Sequence, residues 1–206
     1  MKNNKKLQIN SDWYVPIILF IIGIIVYIVD LVINKFRILS IFQVFGCWAF
    51  SCVIPIANTR LEVKAPIIVN VLIAILIFIG AFLGGVFAFY DLISYWDTIC
   101  HTFFGIVSGS FFIYFLRLFH IDRINFFAIA ILEFTFTLGL AAGWEIIEFT
   151  IDYLYETDFQ KVVLSMQDGK LPQWDTMIDI IVALFGSIIH CLLYTSPSPR
   201  DRSLSR

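Results

Sequence analysis

Long apolar runs separated by short polar segments dominate the chain. Six runs of about 20 residues, the length that crosses a bilayer as a helix, can be drawn. They cover residues 14–33, 38–57, 65–89, 95–119, 125–153 and 174–193. The alternation typical of a membrane β-barrel is not visible, so the pattern predicts helices. The predicted fold class is all-α, a polytopic membrane protein with about six transmembrane helices and both termini on the same side.

The pattern changes abruptly after the last run. We expect a single integral membrane helical domain over residues 1–193 and a disordered tail over residues 194–206. From Cys191 onward the sequence resembles translated sequencing-adapter DNA. On that interpretation the tail begins near residue 191 and the last helix is cut near His190. No function is therefore predicted for the tail or for His190.

The composition agrees with a membrane protein and limits the classes of partner. Of the 206 residues, 60% are hydrophobic and only 15% are charged, which is unusual for a soluble domain. The net charge of −2 and the lack of a basic stripe argue against a nucleic-acid partner. The four cysteines follow neither a zinc pattern nor a disulfide framework. The expected partners are membrane lipids, and the oligomeric state stays open.

Ionisable residues recur within the last three apolar runs. Such groups are costly inside a membrane, so they are functional candidates by default. The candidates are Asp97 and His101 in the fourth run, Glu145, Glu148 and Asp152 in the fifth, and Asp175 and Asp179 in the sixth. Because the fourth run begins, the fifth ends and the sixth begins on one side, all of them lie at one membrane face. Lysines and arginines in the connections favour a cytoplasmic N-terminus, which makes that face the outer one.

Helical periodicity extends each candidate group into a stripe of small residues. Residues four apart share a helix face. The stripes are Asp97, His101, Gly105 and Gly109; Asp175, Asp179, Ala183 and Ser187; and, on neighbouring positions of one face, Glu133, Thr137, Ala141, Glu145, Glu148 and Asp152. We expect the three helices to pack closely through the small residues, with the acidic ends lining a cavity. Glu133 lies deeper and can simply bond to a Thr or Ser across a helix interface.

The chemistry of this cluster favours a bound cation. Carboxylates held together in a low dielectric raise their pKa values, share protons or hold a cation. Oxygen-rich sites with one imidazole suit Mg²⁺, Mn²⁺ or Zn²⁺. The sequence does not identify a cofactor; the candidate is a divalent metal ion bound by Asp97, His101, Asp175 and Asp179.

Each candidate also has a purely structural explanation. Asp97 and Asp175 begin helices, where an Asp side chain caps free amides. A single His101 can be an interfacial side chain with satisfied hydrogen bonds. Glu145 and Glu148 fit such an explanation less well, because they follow a long apolar run within three residues of each other.

The polar motifs, taken in order, resemble the YjdF-like family of inner-membrane proteins, in the VanZ-like group. The matching residues are Tyr95, Trp96, Asp97, His101, Gly105, Trp144, Glu145, Glu148, Asp152, Gln160, Asp175, Thr176, Met177, Ile178, Asp179 and Gly186. The resemblance implies a multi-span protein of the bacterial cytoplasmic (inner) membrane and adds Gln160 to the candidates. Some VanZ-like relatives are associated with resistance to glycopeptide antibiotics, so a role in the cell envelope or in antibiotic resistance is expected. The family brings no settled biochemical activity.

The leading hypothesis is an acidic, His-containing pocket that binds a cation or a polar ligand such as a lipid headgroup. The predicted ligand-binding residues are Asp97, His101, Glu145, Glu148, Asp152, Gln160, Asp175 and Asp179. The first alternative is a metal-dependent membrane enzyme acting on lipid-linked substrates, with Glu145 or Glu148 as general base. Against it, no Lys or Arg cluster is expected near the pocket to bind phosphate. The second alternative is a small proton-coupled transporter, and whether the protein is an enzyme stays open.

Overall fold

The computed structural model describes residues 11–34, 38–121 and 124–195, and these ranges are helical without any strand. Five of their helices are long and apolar enough to cross a membrane. They are Ser11–Ile33, Ile67–Val86, Trp96–Leu118, Phe126–Tyr155 and Trp174–Tyr194. The prediction of an all-α polytopic membrane protein is therefore confirmed.

The chain divides into two compact units, Met1–Ser94 and Tyr95–Arg206. The first unit begins with a 3₁₀ turn, Ser11–Trp13, and ends with a π-helical segment and one short helix. Its helices are α1 (Tyr14–Asn34), α2 (Ile38–Ser51), α3 (Val53–Arg60), α4 (Ile67–Ile77), the π-helical segment (Phe78–Val86) and α5 (Phe89–Leu92). The prediction of a single domain over residues 1–193 stays a prediction.

The second predicted span, residues 38–57, is not one continuous helix. Helix α2 ends at Ser51, Cys52 forms a turn and α3 begins at Val53. Pro55 gives a physical reason, because it lacks the amide that a continuous helix would use to bond the carbonyl of Ser51. Neither helix is long enough to cross a membrane alone. The described residues thus hold five spanning helices rather than six, and both termini share a side only if α2 and α3 cross together.

A buried polar network connects the ends of three elements in the first unit. The Asn58 side chain donates to Asp12 Oδ2 at 2.9 Å and accepts from the amide of Ala65 at 2.8 Å. Asn70 donates to the carbonyl of Asp12 at 3.0 Å. Because buried polar groups are costly when unpaired, these bonds fix the 3₁₀ turn against the end of α3 and the start of α4.

The second unit contains the three helices that carry the candidate site. Its elements are α6 (Trp96–Leu118), α7 (Phe126–Tyr155), α8 (Val162–Gln167) and α9 (Trp174–Thr195). Helix α9 packs most extensively on α6 and also on α7. At the α6–α9 contact a Cβ on Gly105 would collide with the carbonyl oxygen of Ala183, and one on Gly186 with that of Thr102. The small residues therefore let the two backbones touch.

Helix α9 continues past the point where the adapter-like sequence begins. It includes Cys191 and ends at Thr195. The rest of the predicted tail, residues 196–206, lies outside the described residues, so its disorder and its origin stay predictions.

Candidate functional site

The starts of α6 and α9 place one imidazole between two carboxylates. His101 Nε2 lies 3.3 Å from Asp97 Oδ1 and 3.7 Å from Asp179 Oδ2. Asp97 and His101 are one turn apart on one face of α6, and the close α6–α9 contact brings Asp179 to them. One possible ligand atom from each residue lies within 4.8 Å of the other two. The structure thus brings together three of the four residues predicted to bind metal.

This cluster is largely shielded from solvent. His101 is 8% exposed and Asp179 is 3% exposed, while the side chain of Asp97 is 15% exposed. A charged group in such surroundings is costly unless it is paired. The cluster therefore requires a proton, an ammonium or a metal ion to balance its carboxylates.

Asp97 does not act as a helix cap. Tyr95 is the N-cap residue of α6, and no side chain there makes a capping hydrogen bond. The Asp97 carboxylate instead contacts His101 and Lys161. The capping bond considered for Asp97 is therefore not seen, although Asp97 does lie in the first turn of α6, where a carboxylate is favoured by the helix dipole.

Lys161, in the loop after α7, contributes an ammonium to the site. Its Nζ donates a hydrogen bond to Asp97 Oδ2 and lies 3.5 Å from Asp175 Oδ1. Burial lowers the pKa of Lys161, but the charges of Asp97, Asp175 and Asp179 outweigh burial, and the pKa lies above its ordinary value. Asp175, the fourth predicted metal ligand, is therefore joined to the cluster through an ammonium.

Lys161 is a single ammonium at the pocket, so the expectation that no Lys or Arg cluster lies there stays a prediction. A signal for Lys161 was present in the sequence, since Gln160 beside it belongs to the motif that resembles the YjdF-like family. Long polar loops give no periodicity from which the position of a side chain can be read. The residue was therefore counted only as a loop charge.

The loop after α7 is positioned by Asp152. Its Oδ1 accepts hydrogen bonds from Thr157 Oγ1 and the amide of Phe159, both at 2.7 Å. Its Oδ2 accepts from the amide of Gln160 at 2.9 Å. Lys161 follows with a φ of 46°, a left-handed conformation that is costly for a residue with a side chain. Asp152 thus anchors the loop and lies outside the group around His101.

Gln160 connects the same loop to α7 and α9. Its Nε2 lies 3.1 Å from Thr176 Oγ1, 3.3 Å from the carbonyl of Glu145 and 3.4 Å from Glu145 Oε2. The predicted residue Gln160 is therefore in the site as a donor that holds Glu145.

Two carboxylates of the site keep an oxygen without a partner. Glu145 is 5% exposed, and its Oε1 has no hydrogen-bond partner among the described residues. The same is true of Asp175 Oδ2. Glu145 is close enough to act electrostatically on Asp175 and Asp179. Glu148 is different, because it is half-buried and accepts a hydrogen bond of 2.7 Å from Trp144 on the same helix.

A second polar group lies further along α7 and α9. Glu133 is completely buried, and its Oε1 lies 2.8 Å from His190 Nδ1 and 3.5 Å from Ser187 Oγ. The predicted bond to a Ser therefore occurs, but the nearer partner is a histidine for which no function was predicted.

Comparison with known proteins identifies the family. No curated protein and no solved structure is significantly similar to the chain. A family model described as "Predicted membrane protein (DUF2238)" matches residues 15–197. This range includes every residue of the candidate site. The chain therefore belongs to the DUF2238 family of predicted membrane proteins.

Proposed function

We propose that the protein binds a divalent cation at the ends of α6 and α9, with Asp97, His101 and Asp179 as ligands. The mutual distances of their ligand atoms, all within 4.8 Å, carry this proposal. A metal ion about 2.1 Å from each donor holds its donors roughly 3–4 Å apart. Small side-chain rotations therefore suffice to form the site.

The charge balance supports a bound cation. Five carboxylates belong to the site, and Lys161 is the only ammonium that contacts them among the described residues. The carboxylates are those of Asp97, Glu145, Glu148, Asp175 and Asp179. Like charges in a low dielectric cannot all remain ionised without compensation. A divalent ion on neutral His101 would supply two of the missing positive charges.

Lys161 acts in this proposal as a built-in competitor. Its ammonium contacts Asp97, one of the proposed ligands. The ammonium is on Oδ2 of Asp97, whereas Oδ1 faces His101, so it would oppose an incoming metal ion at Oδ1 through its positive charge. Asp175 also lies 3.5 Å from the ammonium and can hold it away from the metal ion.

Catalysis at the bound metal is a second candidate function, and Glu145 favours it. Its unpartnered and buried Oε1 is available to accept a proton from a metal-activated water. Glu148 suits this role less well, because Trp144 occupies one of its oxygens. The substrate would be a lipid-linked molecule or lipid headgroup that reaches the site from the bilayer.

A closer family relationship and a cellular location can also be proposed for the protein. We infer that the protein is YjdF-like, is related to the VanZ-like group and lies in a bacterial cytoplasmic (inner) membrane. Its N-terminus would be cytoplasmic and the Asp97 cluster near the outer face. A role in the cell envelope or in antibiotic resistance would follow from that location.

Metal binding by the purified protein tests the proposed function. The full chain in lipid nanodiscs is titrated with Mn²⁺, and free Mn²⁺ is followed by electron paramagnetic resonance; Zn²⁺ is tested by competition. We expect one saturable site whose affinity falls at least about tenfold in Asp179→Asn and in His101→Ala, since each removes one donor.

The matched control is Asp168→Asn. Asp168 is exposed and its side chain pairs only with Lys170 in the described contacts. The Mn²⁺ affinity of Asp168→Asn should therefore equal that of the wild type. Wild-type protein without saturable Mn²⁺ or Zn²⁺ binding would contradict the proposal. Equal losses in Asp168→Asn and Asp179→Asn would also contradict it, since binding would then follow overall charge.

A further inference from the structure

Glu133 and His190 form a buried ionisable pair that the proposed cation site does not use. Their nearest atoms, Oε1 and Nδ1, are 2.8 Å apart. Glu133 is 0% exposed and His190 is 9% exposed. At this distance a single proton can pass between them, because breaking the O–H bond of the acid accompanies formation of an N–H bond on the imidazole.

The pair has unused bonding capacity inside the protein. Glu133 Oε2 has no hydrogen-bond partner among the described residues, and neither has the buried hydroxyl of Thr137, one turn away on α7. A group with a purely structural role would have both carboxylate oxygens satisfied, since an unpaired buried oxygen is costly. The unpaired oxygens of Glu133 and Thr137 leave hydrogen-bonding capacity for a water molecule or another proton carrier beside the pair.

The pair is well separated from the Asp97 cluster. Glu133 precedes Glu145 by twelve residues, which is about 18 Å along α7. His190 follows Asp179 by eleven residues, which is about 16 Å along α9. The pair therefore lies near the start of α7 and the end of α9, far from the helix ends that carry the Asp97 cluster.

A cavity lies near that end of the helices, lined by residues next to the pair along the chain and by Tyr194. Its volume is about 180 Å³, and Ile113, Arg117, Ile129 and Tyr194 are among its lining residues. Since a water molecule takes about 30 Å³, several fit. Ile129 lies one turn before Glu133. Tyr194 lines the cavity, and its ring stacks on His190, with centroids 5.9 Å apart.

We propose that Glu133 and His190 form a proton-exchange site that opens through this cavity to the membrane face opposite the Asp97 cluster. Protons from the cavity reach the pair past Tyr194 and then move along the interface of α7 and α9 across the protein. The other titratable or charged groups near the pair are Cys191 on α9, whose environment includes Glu133, and Arg117 at the cavity. Helix α6 presents Gly109 to the pair, so its backbone comes close without adding a titratable group.

Buried side chains lie between the two sites, which favours proton exchange over an open channel. Ala141 and Ala183 lie between them and are 2% and 0% exposed. A continuous water-filled path would require space that these buried side chains do not leave. Proton passage therefore requires a change in how α7 and α9 pack.

Proton flux into proteoliposomes tests the inference. The full chain is reconstituted with a trapped pH-sensitive dye, and a potassium gradient with valinomycin drives proton entry. We expect the initial rate to exceed that of protein-free liposomes at least tenfold. Glu133→Gln should reduce it to the protein-free rate, and Glu133→Asp should restore part of it.

Thr135→Val is the matched control. Thr135 lies on the same helix, is exposed, and bonds only the carbonyl of Ile131 at 2.8 Å among the described contacts. The proton flux of Thr135→Val should therefore equal that of the wild type.

His190→Gln serves as a second variant in case Glu133→Gln does not fold, which loss of Mn²⁺ binding by Glu133→Gln would reveal. Wild-type flux at the protein-free rate would overturn the inference, as would wild-type flux in both Glu133→Gln and His190→Gln. Because Mn²⁺ binding is measured separately, failure of this inference is distinguishable from failure of the cation site.

Discussion

Lys161 donates a hydrogen bond to Asp97, although 64 positions separate them in the chain. The contact joins the loop after α7 to the first turn of α6. Asp175, in the first turn of α9, lies 3.5 Å from the same ammonium. One side chain therefore connects the acidic first turns of two helices, α6 and α9, to the loop after α7.

Removal of this ammonium should strengthen cation binding. In Lys161→Met, Asp97 loses its competitor and the negative charge of the site rises by one unit. We expect the Mn²⁺ affinity to increase about tenfold, on the order of the effect of one neighbouring charge. Lys170→Met is the control, because Lys170 is exposed and pairs with Asp168 at 2.9 Å. Unchanged or weaker binding in Lys161→Met would show that Lys161 builds the site instead of competing for it.

The ion pairs of Lys161 should also stabilise the folded protein, and this stabilisation should persist into alkaline solution. The pKa of Lys161 is raised in the folded protein, so the contribution is fully present below the unfolded-state pKa and is lost as pH rises through the folded-state pKa. We expect Lys161→Met to be less stable than the wild type by about 1–2 kcal/mol. The difference should stay constant from neutral pH up to about 10.4, the ordinary lysine value.

Thermal unfolding of both proteins in detergent, across a pH series, measures this difference. A difference that disappears between pH 8 and 9 would mean that the carboxylates do not hold the ammonium in its charged form. Lys170→Met, with its side chain 44% exposed, should show no such pH-dependent difference.

Asp152 should control the order of the loop rather than bind the cation directly. Asp152→Ala removes three acceptor contacts, to Thr157, Phe159 and Gln160. We expect the amides of Phe159 and Gln160 to exchange hydrogen at least about tenfold faster, as expected when about 1.4 kcal/mol of local stability is lost. Hydrogen–deuterium exchange with mass spectrometry measures this, and Glu156→Gln at an exposed position is the control. Unchanged exchange at both amides would refute the anchoring role.

The helices of the site could be predicted from the sequence, because the spacing of polar residues and the order of the apolar runs are both visible in it. Residues four apart must share a helix face, so Asp97 and His101 could be paired without a structure. The face of α7 was predicted in the same way: Glu133, Thr137, Ala141 and Glu145 are buried, whereas Glu148 and Asp152, predicted on the same face, are only partly buried.

The remaining features depend on contacts and turns that the periodicity of the sequence does not predict. Lys161 reaches Asp97 from a loop whose amides bond to Asp152, and such a hydrogen-bonded turn has no apolar pattern to reveal it. The break at Cys52 was missed because hydropathy is continuous through α2 and α3. The Glu133–His190 contact was missed because the adapter-like sequence led us to assign no function to His190.

The α6–α9 contact should be sensitive to a single methyl group. In Gly105→Ala the new Cβ would overlap the carbonyl oxygen of Ala183 and crowd Gly186 at 3.0 Å, and backbone atoms cannot move aside as a flexible side chain can. We expect a loss of about 2–3 kcal/mol of stability and weaker Mn²⁺ binding, because the helix shift separates His101 from Asp179. Gly139→Ala is the control: nothing lies within 4 Å of its added Cβ, so it should gain about 0.5–1 kcal/mol from helix propensity. Thermal unfolding and Mn²⁺ titration of both variants decide the matter, and equal behaviour of the two would refute close α6–α9 packing as the basis of the site.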